Sequence, residues 1–235
     1  MSLVWQSPRL LGGFPRQCAH WLGMTFFYFS VLGVTMADNY QIQMQNAQKF
    51  FLTYDQEKLI QKFNLHFDAQ FLYVIMFRTL YRIDRNTGSF ERYRGTWQDA
   101  NTFGEVMTIL DILCDSRDDR WLTGRWVSTQ QFGKLFHTGL LELEEDPLAT
   151  AFDKAPGSLY KACKALGGHP IVGGDEAYAV EVMDGLEIGI FFWYGDDEFP
   201  AQLRFFWDEN APMYIKYETM HYTLGYLRQL LSKTL

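Results

Sequence analysis

The chain has 235 residues, of which 48% are apolar, 21% charged and 17% aromatic. Such a composition can bury a core and excludes wholesale disorder, while a net charge of −7 disfavours broad nucleic-acid binding, which needs a basic surface. The three cysteines, Cys18, Cys114 and Cys163, lie far apart, which excludes a disulfide scaffold and a four-cysteine zinc or iron–sulfur site.

The first 37 residues differ from the rest. No acidic residue precedes Asp38, and Arg9 and Arg16 are the only fixed charges there, so the remainder carries 19 basic and 28 acidic groups, net −9. Trp21–Val34 is an apolar run of 14 residues, short of the ~20 that span a bilayer. Two readings stand. The run, preceded by the two arginines and followed by Thr35-Met36-Ala37, suits a secretory signal. Alternatively, translation starts at Met36 and residues 1–36 are an upstream extension. The second reading makes the protein cytoplasmic, the first exported. Residues 37–235 are expected to form a single domain with no need of a membrane.

Asp38–Tyr54 predicts a helix, with Tyr40, Met44, Ala47 and Phe51 on one stripe. A shorter helix follows at Asp55–Phe63, capped by Asp55. Phe71–Phe77 is apolar on both strand faces, as a strand covered on both sides would be. Thr79–Asp84 alternates, Asn86-Thr87-Gly88 turns the chain, and Ser89–Tyr93 completes an antiparallel meander. Thr102 and Glu105 fit a capping box that opens a helix whose stripe includes Val106, Met107, Leu110 and Leu113. Trp126–Ser128 is a short strand in an irregular bridge, and Glu142–Asp146 is an acidic loop.

The second half repeats this order. A helix is expected at Pro156–Leu166, stopped by Gly167-Gly168. Strands are expected at Ala177–Met183 and Leu186–Tyr194, joined by the hairpin signal Asp184-Gly185, and at Ala201–Trp207. A last helix covers Glu218–Ser232. The expected fold is therefore α+β: two similar halves, about 37–115 and 147–235, each a helix, a three-stranded antiparallel meander and a helix, a possible duplication.

Several stretches occur in the order seen in one family: Asn39-Tyr40, Tyr54-Asp55-Gln56-Glu57, Tyr81-Arg82-Ile83-Asp84 with Thr87-Gly88, Trp126-Val127-Ser128, and Gly195-Asp196-Asp197-Glu198-Phe199-Pro200 leading to Asp208 and Ala211-Pro212-Met213-Tyr214. From about residue 37 to the end the chain resembles the prokaryotic domain-of-unknown-function family numbered 3786. That resemblance implies an anaerobic bacterial or archaeal source and carries over no catalytic residue. Some relatives have a cysteine-rich segment of iron–sulfur type, which this chain lacks, so no cofactor is implied.

The best candidate site is the loop Asp196, Asp197, Glu198 and Phe199, with Asp208 one strand further on and Glu218 and His221 in the last helix. Adjacent carboxylates can bind a hard cation or a basic partner group, although the alternating calcium-loop spacing is absent and no metal is assigned; a solvated loop is the plainer alternative. The histidines are scattered, without HExxH. Cys114 and Cys163 read as buried, inert thiols. The glycine pairs follow a helix instead of opening one, so they do not make a phosphate loop. Arg78, Arg82, Arg85, Arg92 and Arg94 cluster among aromatics, a pattern that suits single-stranded nucleic acid or, given the overall acidity, cross-strand ion pairs. Two functions are carried forward. One is an accessory module that binds a protein or a small molecule. The other is an enzyme using Asp196, Asp197, Glu198 and Asp208 between the halves, with a divalent cation.

Overall fold

The computed structural model describes residues 36–132 and 146–235. The expectations for residues 1–35, with the signal-like run, and for residues 142–145 of the acidic stretch lie outside them. Residues 42–235 form one compact unit.

The described residues open with α1 (Met36–Phe51) and α2 (Gln56–Phe63). Asp55 starts α2 as its sequence position suggests, its carboxylate accepting the Lys58 amide at 3.3 Å. Five strands follow: β1 (His66–Phe67), β2 (Phe71–Met76), β3 (Thr79–Asp84), β4 (Phe90–Tyr93) and β5 (Trp97–Asp99), then α3 (Phe103–Asp115). After β6 (Trp126–Ser128) come α4 (Pro147–Asp153), α5 (Ser158–Ala165), β7 (His169–Pro170), β8 (Glu176–Met183), β9 (Leu186–Trp193), β10 (Gln202–Asp208) and α6 (Tyr217–Ser232). The strands form two five-stranded antiparallel sheets, ordered β1-β2-β3-β4-β5 and β6-β10-β9-β8-β7.

The α+β class holds, with corrections. Among the described residues each sheet has five strands, not three. The fifth strand of the first sheet follows its meander, whereas that of the second, β6, precedes it, so the halves are not a strand-for-strand repeat. Helix α4 lies where no helix was expected; Asp146 caps it, accepting the Leu148 amide at 2.9 Å, and Pro147 takes the first turn. Pro156 falls before α5, whose N-cap is Gly157. Strand β2 is not covered on both sides. Leu72, Val74 and Met76 face the core, but Phe71 and Tyr73 are only half-buried and Ile75 is 62% exposed.

The sheets meet at a hairpin tip. The turn Phe77-Arg78, with φ of 47° and 58°, joins β2 to β3, and the Phe77 amide donates to the Val182 carbonyl at 3.0 Å. Val182 sits in an irregularity of the β8–β9 register between Glu181 and Met183, and a bulge leaves ladder groups available in this way. The Arg78 guanidinium reaches the Lys164 carbonyl, at the end of α5, at 3.4 Å.

Helices α3 and α6 pack closely. The Thr108 and Thr223 hydroxyls are 2.7 Å apart, and the Gly104 and Thr219 carbonyls lie 2.6 and 2.8 Å from them, so one hydroxyl donates across the helix pair while the other donates to its own helix. Beneath them Glu105, fully buried, gathers the Tyr226 hydroxyl at 2.7 Å, the Tyr81 hydroxyl at 3.0 Å and the Arg92 guanidinium at 2.9 Å, tying α6, β3 and β4 to the start of α3.

Candidate functional site

The acidic loop connects β9 to β10. Its first carboxylate closes its own turn: Asp196 Oδ1 accepts the Glu198 amide at 2.8 Å and the Phe199 amide at 2.7 Å, and the Asp196 amide donates to the Phe199 carbonyl at 2.9 Å. Donation from the Phe199 and Glu198 amides holds the Asp196 carboxyl below the usual carboxylate range. The Gly195 amide donates to Asp153 at 3.1 Å. Asp197 and Glu198 point to solvent, and Phe199 is 62% exposed.

Asp208 belongs to a different place. It is buried at the far end of β10, where its two oxygens accept the Thr123 amide and hydroxyl, each at 3.1 Å, the Gly124 amide at 2.7 Å and the Asn210 amide at 2.8 Å. The length of β10, about 20 Å at ~3.3 Å per residue, separates it from the acidic loop. The four carboxylates expected to share a site between the halves therefore do not converge. Glu218 is exposed in the first turn of α6, and His221 packs edge-on against the Tyr217 ring at 4.8 Å. Among the described residues no three His, Cys, Asp or Glu side chains are placed to hold a metal ion.

The other candidates also separate. Cys163 is buried, and burial pushes its thiol up to about 12, which disfavours the thiolate despite the flanking Lys161 and Lys164; Cys114 is half-buried. Gly167, with φ of 80°, ends α5, and the Gly168 amide donates to the Cys163 carbonyl at 2.8 Å, a helix stop. The arginines disperse. Arg92 points inward to Glu105, Arg85 pairs with Glu57, Arg78 faces Lys164, and Arg94 is exposed in the β4–β5 turn. Arg82 makes the expected cross-strand pair with Glu91 at 2.6 Å.

What the sequence reading missed is the open face of the first sheet. Phe71, Tyr73 and Ile75 of β2 alternate onto it, followed by Arg82 of β3, Tyr93 of β4 and Trp97 of β5. The Arg82 guanidinium lies 4.1 Å from the Phe71 ring centre and 4.3 Å from that of Trp97, held between them while Glu91 fixes its Nε. Glu91 raises the Arg82 pKa. The Tyr73 hydroxyl donates to Asp68 at 2.7 Å and, with the Gln70 and Phe71 amides, lowers the Asp68 pKa. Ile75 at 62% and Tyr93 at 47% exposure bracket this cluster. The signal in the sequence was the aromatic alternation itself, which is the same for a covered face and for one that docks a partner.

These features define an α+β domain of two antiparallel sheets in which Asp84, Asp196 and Asp208 brace turns and whose first sheet leaves an aromatic face open. The chain belongs to the family described as domain of unknown function (DUF3786), whose model matches residues 55–229. No curated protein and no solved structure matches it. No helix among the described residues is long and apolar enough to cross a membrane.

Proposed function

We propose that this protein is an accessory module that binds a protein partner through the open face of its first sheet, in the cytoplasm of an anaerobic prokaryote. One observation carries the reading: on one face of the first sheet Ile75 and Tyr93 stand exposed on either side of the Phe71–Arg82–Trp97 stack, large apolar side chains where a fully solvated sheet face would carry polar ones. The separation of Asp208 from Asp196, Asp197 and Glu198 weighs against the enzyme reading. Exchange of Ile75 for glutamate tests this. The wild-type chain, cross-linked in extract of its source, should retain a partner that Ile75→Glu loses, with circular dichroism unchanged. The same capture by both chains overturns the reading. So does thermal stabilisation by a divalent cation or a metabolite that Asp197→Asn abolishes, which restores the enzyme.

A further inference from the structure

We infer that the partner presents arginine side chains to this face, stacked on Tyr93 beside Trp97 and paired with Asp99; the inference rests on the docking reading above. The register places Glu91 of β4 directly opposite Asp99 of β5. Like charges directly opposite across a ladder repel. The face supplies one guanidinium, Arg82, and it is committed to Glu91, pinned between Phe71 and Trp97. Asp99 is exposed and has no ion pair among the described residues. Beside it, Tyr93 and Trp97 meet edge to face with ring centres 5.3 Å apart, and Tyr93 is 47% exposed.

Arg82 thus shows on this surface the arrangement that a second guanidinium would complete: an aromatic wall, a carboxylate at its end, and a sheet that holds both in place. A planar guanidinium suits it better than an ammonium, because it stacks on a ring and donates in the plane of the carboxylate at once. The remaining face charges favour the same sign of ligand. Asp68 adds a carboxylate near Tyr73, while Arg94 in the adjoining turn is the counterweight. Polyanionic nucleic acid meets the wrong sign here.

The experiment uses the full chain and a labelled nine-residue peptide of alternating arginine and valine, followed by fluorescence anisotropy, with lysine and glutamate versions of the same length. The arginine peptide should bind saturably, more tightly than the lysine version, and the glutamate version not at all. Asp99→Asn and Tyr93→Ala should each weaken it by about two- to fivefold, the size of one exposed cation–π contact, and together by about tenfold. Asp197→Asn removes the same charge from the distant acidic loop and should bind as the wild type does. Equal losses in Asp197→Asn and Asp99→Asn would show attraction to net charge alone and overturn the inference. Binding of single-stranded oligouridine to this face would overturn it as well. A captured partner that needs Ile75 but is indifferent to Asp99→Asn would keep the docking face and discard the arginine.

Discussion

The Phe77 amide donates to the Val182 carbonyl at 3.0 Å, and through that bond the tip of one hairpin is seated in the irregular register of the other sheet. Phe77 is also buried, 6.1 Å from the Tyr226 ring. Neither Phe77 nor Arg78 is a residue that favours positive φ, which costs roughly 1–2 kcal/mol apiece. Burial of the phenylalanine offsets that cost.

Phe77→Ala should therefore lose about 3–5 kcal/mol, as buried phenylalanines do. Arg78→Gly should change stability by less than about 1 kcal/mol, because backbone relief offsets the long bond to the Lys164 carbonyl. Urea unfolding curves of both variants measure this. A neutral Phe77→Ala would mean that the hairpin tip does not hold the sheets together.

Glu105 is the ionic centre of the helix–sheet interface. Burial alone pushes its carboxyl up, but donation from Tyr226 and Thr102, the Arg92 charge and donation from Tyr81 outweigh it and leave it below the usual range. A carboxyl lowered in the folded state gives stability that is present above its unfolded value of about 4.3 and is lost as pH falls through the lower folded value. Wild-type stability should thus fall below about pH 4, and Glu105→Gln should flatten that part of the profile. The same variant should cost about 3 kcal/mol near neutrality, since Arg92 loses its buried partner. Tyr226→Phe should cost about 1.5–3 kcal/mol. Urea midpoints across pH 3 to 7 test the set, and an unchanged acid limb in Glu105→Gln would remove Glu105 from the account.

Asp208 and Asp196 both look like site residues in the sequence, yet both accept backbone amides. Asp208→Ala strands the Thr123, Gly124 and Asn210 amides in a part-buried turn, at roughly 1–3 kcal/mol for each one left unpaired. Hydrogen exchange at those three amides should accelerate. Asp196→Ala, in an exposed turn open to water, should cost less than about 1 kcal/mol. Reversed magnitudes would mean that Asp208 is held there for chemistry.

Turn chemistry shows where the sequence was legible. Asp184-Gly185 announces its hairpin, and both residues take positive φ, 56° and 78°. Phe77-Arg78 makes a comparable turn with no local signal, because tertiary burial of Phe77 selects it. The Thr102–Glu105 capping box was readable, and the Thr102 amide does donate to Glu105 at 3.3 Å. The second duty of Glu105, receiving Tyr81 and Tyr226 from 24 and 121 residues away, was not. Asp146-Pro147 carried a helix start that the acidic run before it disguised. The candidate site failed for a related reason. Composition reveals carboxylates but not the amides that occupy them, and a strand apolar on both faces does not say which face stays open.

Two helical glycines separate close packing from mere tolerance. A Cβ on Gly104 of α3 would stand 2.8 Å from the Tyr222 carbonyl oxygen and 2.9 Å from the Tyr226 Cβ, so α3 and α6 approach as closely as they do because this position has no side chain. Gly104→Ala should force the helices apart, stretch the Thr108–Thr223 hydroxyl pair and cost about 1–3 kcal/mol. A Cβ on Gly225 of α6 meets nothing within 4 Å, so Gly225→Ala should stabilise the helix by about 0.5–1 kcal/mol through reduced backbone entropy. Thermal unfolding of the two variants should move in opposite directions. If both rise, the helix pair has slack that the 2.7 Å threonine contact does not suggest. If both fall, α6 needs the absence of a side chain along more of its length than the Gly104 contact alone requires.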